Sequence, residues 1–156
     1  MHKKYSLGLV WLRRDLRLQD NPALATALAQ CDQVHCAFVF DTDILDALPR
    51  RDRRVEFIRE SLVEVDAGLR QAAGHEAAGL IALHGPATTE ITALAQALGV
   101  QAVYAGKDYE PQALQRDAAA QQALQAHGIA FVQMKDHVVF EERELLTQTG
   151  KPYGVF

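Results

Sequence analysis

Four short stretches of this chain hold side chains able to bind or do chemistry. In the first, Arg13, Arg14, Asp15 and Arg17 gather directly after the apolar run that ends at Leu12. Forked guanidiniums grip phosphates and carboxylates through paired hydrogen bonds. Asp15 and Asp20 lie near enough in sequence to neutralise them, so anion binding and local ion pairing are both open readings. In the second, Asp41 closes the run Phe38-Val39-Phe40 and is followed by Ile44, Leu45 and Leu48. Those apolar residues would cover a flat ring that donates a hydrogen bond to Asp41, and a capped loop packed on a sheet would use the same residues. The third, Lys107-Asp108-Tyr109-Glu110-Pro111, puts two carboxylates, an ammonium and a phenol into one turn.

The fourth is Arg50-Arg51-Asp52-Arg53-Arg54. It suits a phosphate-bearing tail or nucleic acid, and a solvated helix face is the plain alternative. Cations at a helix start oppose the helix dipole, which Asp52 only partly offsets. The chain has no G-x-G-x-x-G after its first apolar run and no G-x-x-x-x-G-K-[ST] anywhere, so the glycine-rich phosphate cradles are missing. No H-E-x-x-H pair occurs, and no histidine adjoins a serine or cysteine in a recognisable nucleophile motif.

These stretches need a frame, and the apolar periodicity supplies one. Strand-like blocks at Ser6 to Leu12, Val34 to Phe40, Gly79 to His84, Ala102 to Gly106 and Ala130 to Met134 alternate with helical blocks. That alternation predicts an α/β fold with a Rossmann-like parallel sheet. In the order 3-2-1-4-5 the first and fourth strands flank the switch point, and Arg13, Asp41, Asp108 and Glu110 converge beyond their carboxyl ends.

Four helices are expected between the strands. Asp20 or Asn21 caps the first, with Pro22 in its first turn. The second runs from about Arg51 to Ala73 with an apolar stripe of Val55, Ile58, Leu62, Val65, Leu69 and Ala72. Thr88 or Thr89 caps the third, and Pro111 opens the fourth, which ends near His127. Gly74, Gly99 and Gly128 close helices in the left-handed region. Asp136 to Leu146 is expected to be a short extended piece followed by an acidic helical turn over Glu141-Glu142-Arg143-Glu144.

A chain of 156 residues, 49% hydrophobic and 23% charged, suits a single globular domain rather than a disordered or membrane-spanning one. Arg13 and Arg14 interrupt the first apolar run before a signal-peptide core forms, so a cytoplasmic setting is expected. A formal net charge of -4 argues against a general nucleic-acid binder. Cys31 and Cys36 are too few for a disulfide framework or a zinc site and are expected to be reduced structural thiols. The final Val155-Phe156 leaves apolar surface without a partner, as expected of a cut inside a longer protein.

The run Trp11-Leu12-Arg13-Arg14-Asp15-Leu16-Arg17-Leu18-Gln19-Asp20-Asn21-Pro22-Ala23-Leu24 resembles the amino-terminal signature of the DNA photolyase and cryptochrome family. Phe38-Val39-Phe40-Asp41, Tyr109-Glu110-Pro111 with Arg116-Asp117, and Gly150-Lys151-Pro152-Tyr153-Gly154-Val155-Phe156 extend the resemblance over almost the whole chain. It implies an antenna-binding domain over residues 1–135 and, over 136–156, the start of a connector to a helical FAD-binding domain absent from this sequence.

The parent protein is then expected to be a deoxyribodipyrimidine photolyase, which splits cyclobutane pyrimidine dimers in damaged DNA by electron transfer from excited reduced FAD. The alternatives are a cryptochrome-type blue-light receptor and, less favoured, a stand-alone nucleotide-binding module. No catalytic residue, metal or membrane is implied for this fragment.

The resemblance also implies that the domain holds a second, light-harvesting chromophore. Family members that use methenyltetrahydrofolate can carry an Asn-Glu pair where Gln112 and Ala113 stand here. An 8-hydroxy-5-deazaflavin-like ring is therefore favoured over methenyltetrahydrofolate or FMN. Its expected contacts are Arg13, Asp41, Ile44, Leu45, Arg53, Asp108 and Glu110.

Overall fold

The computed structural model describes residues 2–141, 144 and 146–151. Five strands, β1 (Tyr5–Leu12), β2 (Cys31–Asp41), β3 (Leu80–Gly85), β4 (Ala102–Gly106) and β5 (Ala130–Met134), form one sheet in the order β3-β2-β1-β4-β5. Every neighbouring pair is parallel, as the alternating pattern predicts. The helices are α1 (Pro22–Gln30), α2 (Thr42–Leu45), α3 (Arg53–Ala73), α4 (Ala87–Leu98) and α5 (Pro111–Ala126).

Central β1 sorts the core, because successive side chains on a strand point to opposite faces. Leu9 and Trp11 pack with Ile91 and Ala95 of α4 and with Ala120 and Leu124 of α5. Val10 and Leu12 pack with Ala23 and Ala27 of α1 and with Val65 of α3. The sheet thus has helices on both faces, the Rossmann-like arrangement. A Cβ on Gly8 would lie 2.6 Å from the Cys31 sulfur, so β1 fits here only without a side chain. Cys31 and Cys36 are free and buried, and burial pushes the Cys36 thiol up to about 12.

Local signals set most boundaries. The Asn21 side chain caps α1 by accepting from the Leu24 amide at 3.0 Å, and Pro22 supplies the first helical residue. Gly74, Gly99 and Gly128 take positive φ after their helices. Several expectations are corrected. α3 starts at Arg53, because the Asp52 carboxylate accepts from the Arg54 amide and stops the helix there. Of its stripe only Leu62 and Val65 are buried, and Ala72 is exposed. The short α2 is a fifth helical piece inside what the periodicity leaves as loop.

Neither Thr88 nor Thr89 caps α4, which begins at Ala87 after Pro86. The acceptor comes from another strand: Asp41 takes the Ala87 amide at 3.3 Å. Beyond β5, residues 135–141 form neither strand nor helix. The Glu144 amide donates to the Glu141 carbonyl, while Glu142 and Arg143 of the expected acidic turn lie outside the described residues. Pro152 to Phe156, part of the terminal motif, also lie outside them. Among the described residues no helix is long and apolar enough to cross a membrane.

Candidate functional site

At the carboxyl end of β1 the buried Trp11 ring carries two guanidiniums, with the Arg13 carbon 4.9 Å and the Arg116 carbon 5.4 Å from its centroid. The Arg13 side chain is only 7% exposed. It donates to the Asp117 carboxylate and to the Gly106 carbonyl, and so ties β1 to α5 and to the end of β4. Asp117 also accepts from Gln133 of β5 at 2.6 Å and from Arg116 at 3.3 Å. Burial pulls the Arg13 pKa down against the attraction of Asp117, yet an arginine stays charged at any working pH. Among the described residues its Nε has no hydrogen-bond partner.

The first loop does not neutralise itself as local pairing with Asp15 and Asp20 would require. The Asp15 carboxylate is buried and accepts from the Arg13 amide at 2.9 Å and from Asn21 Nδ2 at 3.3 Å. Asp20 takes a positive φ and offers its carbonyl, not its carboxylate, to Arg17. Instead Arg14 pairs with Asp108 at 3.0 Å and Glu110 at 2.8 Å, and Arg17 pairs with Asp136. All three arginines therefore find partners contributed by elements later in the chain.

The turn after β4 is organised by Asp108, whose Oδ1 accepts the amides of Tyr109 at 2.8 Å and Glu110 at 3.3 Å. Burial pushes this carboxyl up, but the two amides and Arg14 outweigh it and hold its pKa below the usual range. Arg14 is raised in turn, first by its hydrogen bond to Glu110. The Tyr109 hydroxyl donates to Glu141 at 2.9 Å, and Lys107 pairs with the same carboxylate at 2.9 Å. The segment after β5 is thereby fastened to this edge of the sheet.

Between these loops lies a cleft of about 650 Å³. Arg13, Asp41, Ile44, Asp108 and Glu110 all line it, together with Trp11, Leu12, Phe38 and Ile58. Leu45 and Arg53 do not. They line a neighbouring groove of about 850 Å³ in the connection from α2 to α3. Asp41 is mostly committed, since Oδ1 accepts from the Asp43 and Ala87 amides at 3.2 and 3.3 Å.

Sequence reasoning passed over Trp11 and Ile58 as lining residues, and Asp117 as the partner of Arg13. One signal for Asp117 was present: it falls in register with Ala113, Ala120 and Leu124, a lone carboxylate on the buried face of α5. Among the described residues no cluster of His, Cys, Asp and Glu could hold a metal ion. The lining combines aromatic and aliphatic walls with cations already matched by carboxylates, a composition suited to a flat, largely uncharged ring with a few polar edges.

The family model for DNA photolyase matches residues 8–156. The chain is 36% identical over 148 residues to a deoxyribodipyrimidine photo-lyase from Synechococcus, covering 95% of this chain and 30% of that protein. The bacterial class III photolyase of Agrobacterium tumefaciens superposes with a TM-score of 0.82 at 26% identity, over 99% of this chain and 31% of the other. The archaeal photolyase of Sulfolobus tokodaii, solved with two FAD molecules, gives a TM-score of 0.75 at 30% identity, over 88% of this chain and 32% of its own. The sequence thus spans about a third of such proteins, and over that span the chain belongs to the DNA photolyase family.

Proposed function

We propose that this domain holds a flat, light-absorbing second chromophore in the cleft beyond β1 and β4, and that the parent protein is a light-driven deoxyribodipyrimidine photo-lyase. The observation that carries the reading is the cleft itself: about 650 Å³ at the switch point, walled by Trp11, Phe38, Ile44 and Ile58. In this reading Arg13, Asp41, Ile44, Asp108 and Glu110 surround the ring, and Leu45 and Arg53 contact the ligand from the adjoining groove. Residues 1–135 form the antenna domain and 136–156 begin the connector.

The residues present fit a flavin-like ring. Gln112 and the buried Ala113 line the cleft, and they depart from the Asn-Glu pair that folate-using members of the family can carry, which favours the deazaflavin class. The chemistry supplied by reduced FAD in a further helical domain is light-driven electron donation to a pyrimidine dimer in damaged DNA. This chain's own residues hold and orient the absorber and keep water from its faces.

The test uses the full-length protein with reduced FAD and thymine-dimer DNA under near-ultraviolet and blue light. Repair is expected, with an action spectrum that gains a band when 8-hydroxy-5-deazaflavin is loaded. Dimers left intact would remove the repair reading in favour of a cryptochrome. Repair whose action spectrum ignores the loaded ring would remove the antenna reading.

A further inference from the structure

We propose that the ligand of the cleft carries a phosphate-bearing tail, held by Arg53 with Arg50 and Arg51 in the groove beside the cleft. This inference rests on the chromophore reading of the cleft. The cations that line the cleft are already paired, Arg13 and Arg116 with a shared Asp117 and Arg14 with Asp108 and Glu110, so none of them is left without a carboxylate. In the groove outside it Asp46, Asp52 and Glu56 stand among the arginines, but among the described residues neither Asp46 nor Glu56 forms an ion pair with them. Arg50, Arg51 and Arg53 are exposed and have no hydrogen-bond or ion-pair partner among the described residues, in a chain whose formal net charge is -4. Asp52, the one carboxylate in their stretch, is occupied by Arg54 at 2.6 Å.

The two places are joined. The cleft shares Arg13, Arg14 and Ile58 with an apolar shelf of about 470 Å³. Arg53 lines both that shelf and the groove of about 850 Å³ that holds Arg50 and Arg51. Ile58 and Arg53 are five residues apart on α3, about 7.5 Å along the helix axis. A short chain leaving a ring beside Ile58 therefore meets Arg53 first. Three guanidiniums at the start of α3 work against the helix dipole, so helix stability does not account for them. Forked recognition of a phosphate does.

Riboflavin and FMN share one ring and differ by a phosphate, which makes them the probes. Their binding to the full-length protein freed of its second chromophore is followed by flavin fluorescence. FMN is expected to bind roughly tenfold or more tightly than riboflavin, the scale of a hydrogen bond to a charged group. The R50E/R51E variant, which spares Arg53, is expected to cut that difference severalfold while riboflavin affinity stays as it was. Equal affinities for the two flavins in the unaltered protein, or a variant that weakens both alike, overturn the tail subsite and leave the cleft reading standing. If neither flavin binds, nor the 8-hydroxy-5-deazaflavin ring, the cleft reading itself fails. A duplex DNA arm separates the other source of phosphate: loss of DNA binding in R50E/R51E with an unchanged FMN-to-riboflavin ratio assigns the arginines to nucleic acid and overturns the proposal.

Discussion

Arg13 and Arg53 are both arginines near the carboxyl edge of one sheet, in opposite circumstances. Arg13 lies over Trp11 with its charge matched by Asp117 on a helix 104 residues away. Arg53 stands in solvent at the start of α3 without a partner among the described residues. Burial makes the difference. A charge taken out of water must bring its counterion with it, whereas an exposed one stays free to meet a ligand. The interior knot therefore answers to stability, and the proposed reading gives the rim to a ligand.

The largest expected effect breaks the interior side of that contrast. Asp117→Ala leaves the Arg13 guanidinium buried without its counterion and strips Gln133 of an acceptor, and should cost about 3–5 kcal/mol. Urea denaturation at neutral pH measures it. Replacing the pair together, as in R13M/D117L, should recover most of the loss, because no unmatched charge remains. If the double variant is as unstable as D117A, shape and not charge matching governs the knot. A loss of that size is a large share of the 5–15 kcal/mol typical of a domain.

The intermediate case lies between the two regions. Asp108 is buried, but its partner Arg14 is half exposed, and its carboxyl is held below the usual range by two amides and that arginine. A depressed folded pKa contributes stability that is present above the unfolded value, about 3.9, and is lost as pH falls through the folded one. Asp108→Asn keeps an acceptor for the amides but loses the charge. It should cost about 1 kcal/mol at pH 7, with the gap to the unaltered protein closing as pH drops below about 4. Urea midpoints measured from pH 7 to pH 3 test this, and a gap that does not change with pH would sink it.

The frame of the molecule was legible because its signals are local. Apolar runs, the Asn21-Pro22 start and the glycine stops each act within a few residues, and the α/β pattern predicted the parallel sheet, whose order 3-2-1-4-5 was an added expectation that the structure bears out. Arg13, Asp41, Asp108 and Glu110 could be placed at one edge for the same reason: each follows a strand directly. Pairing within that edge was not legible. Nothing near Arg13, Arg14 or Arg17 announces Asp117, Asp108 or Asp136, since those meetings depend on how α5, the β4 turn and the segment after β5 pack. The start of α4 was misplaced on the same ground, because the carboxylate that receives its first amide belongs to Asp41 of β2.

The smallest expected effect belongs to the rim. Arg54 and Asp52 form a close pair, 2.6 Å apart and two residues from each other, which holds the Asp52 carboxyl down at about 2. A depressed carboxyl can report a strong contact without reporting stability, because solvent and salt screen an exposed pair and the free side chains regain rotamer entropy when it breaks. Arg54→Ala should therefore move the Asp52 carboxyl resonance in an NMR titration toward the ordinary value near 3.9. It should stop short of that value, since the amide at position 54 still donates to Asp52. The thermal midpoint should not shift measurably. An Arg54→Ala variant that unfolds markedly earlier would mean that the rim is coupled to the interior knot after all, through Arg13 and Ile58 along the shelf they share with Arg54, and the division between a stabilising interior and a binding rim would fall with it.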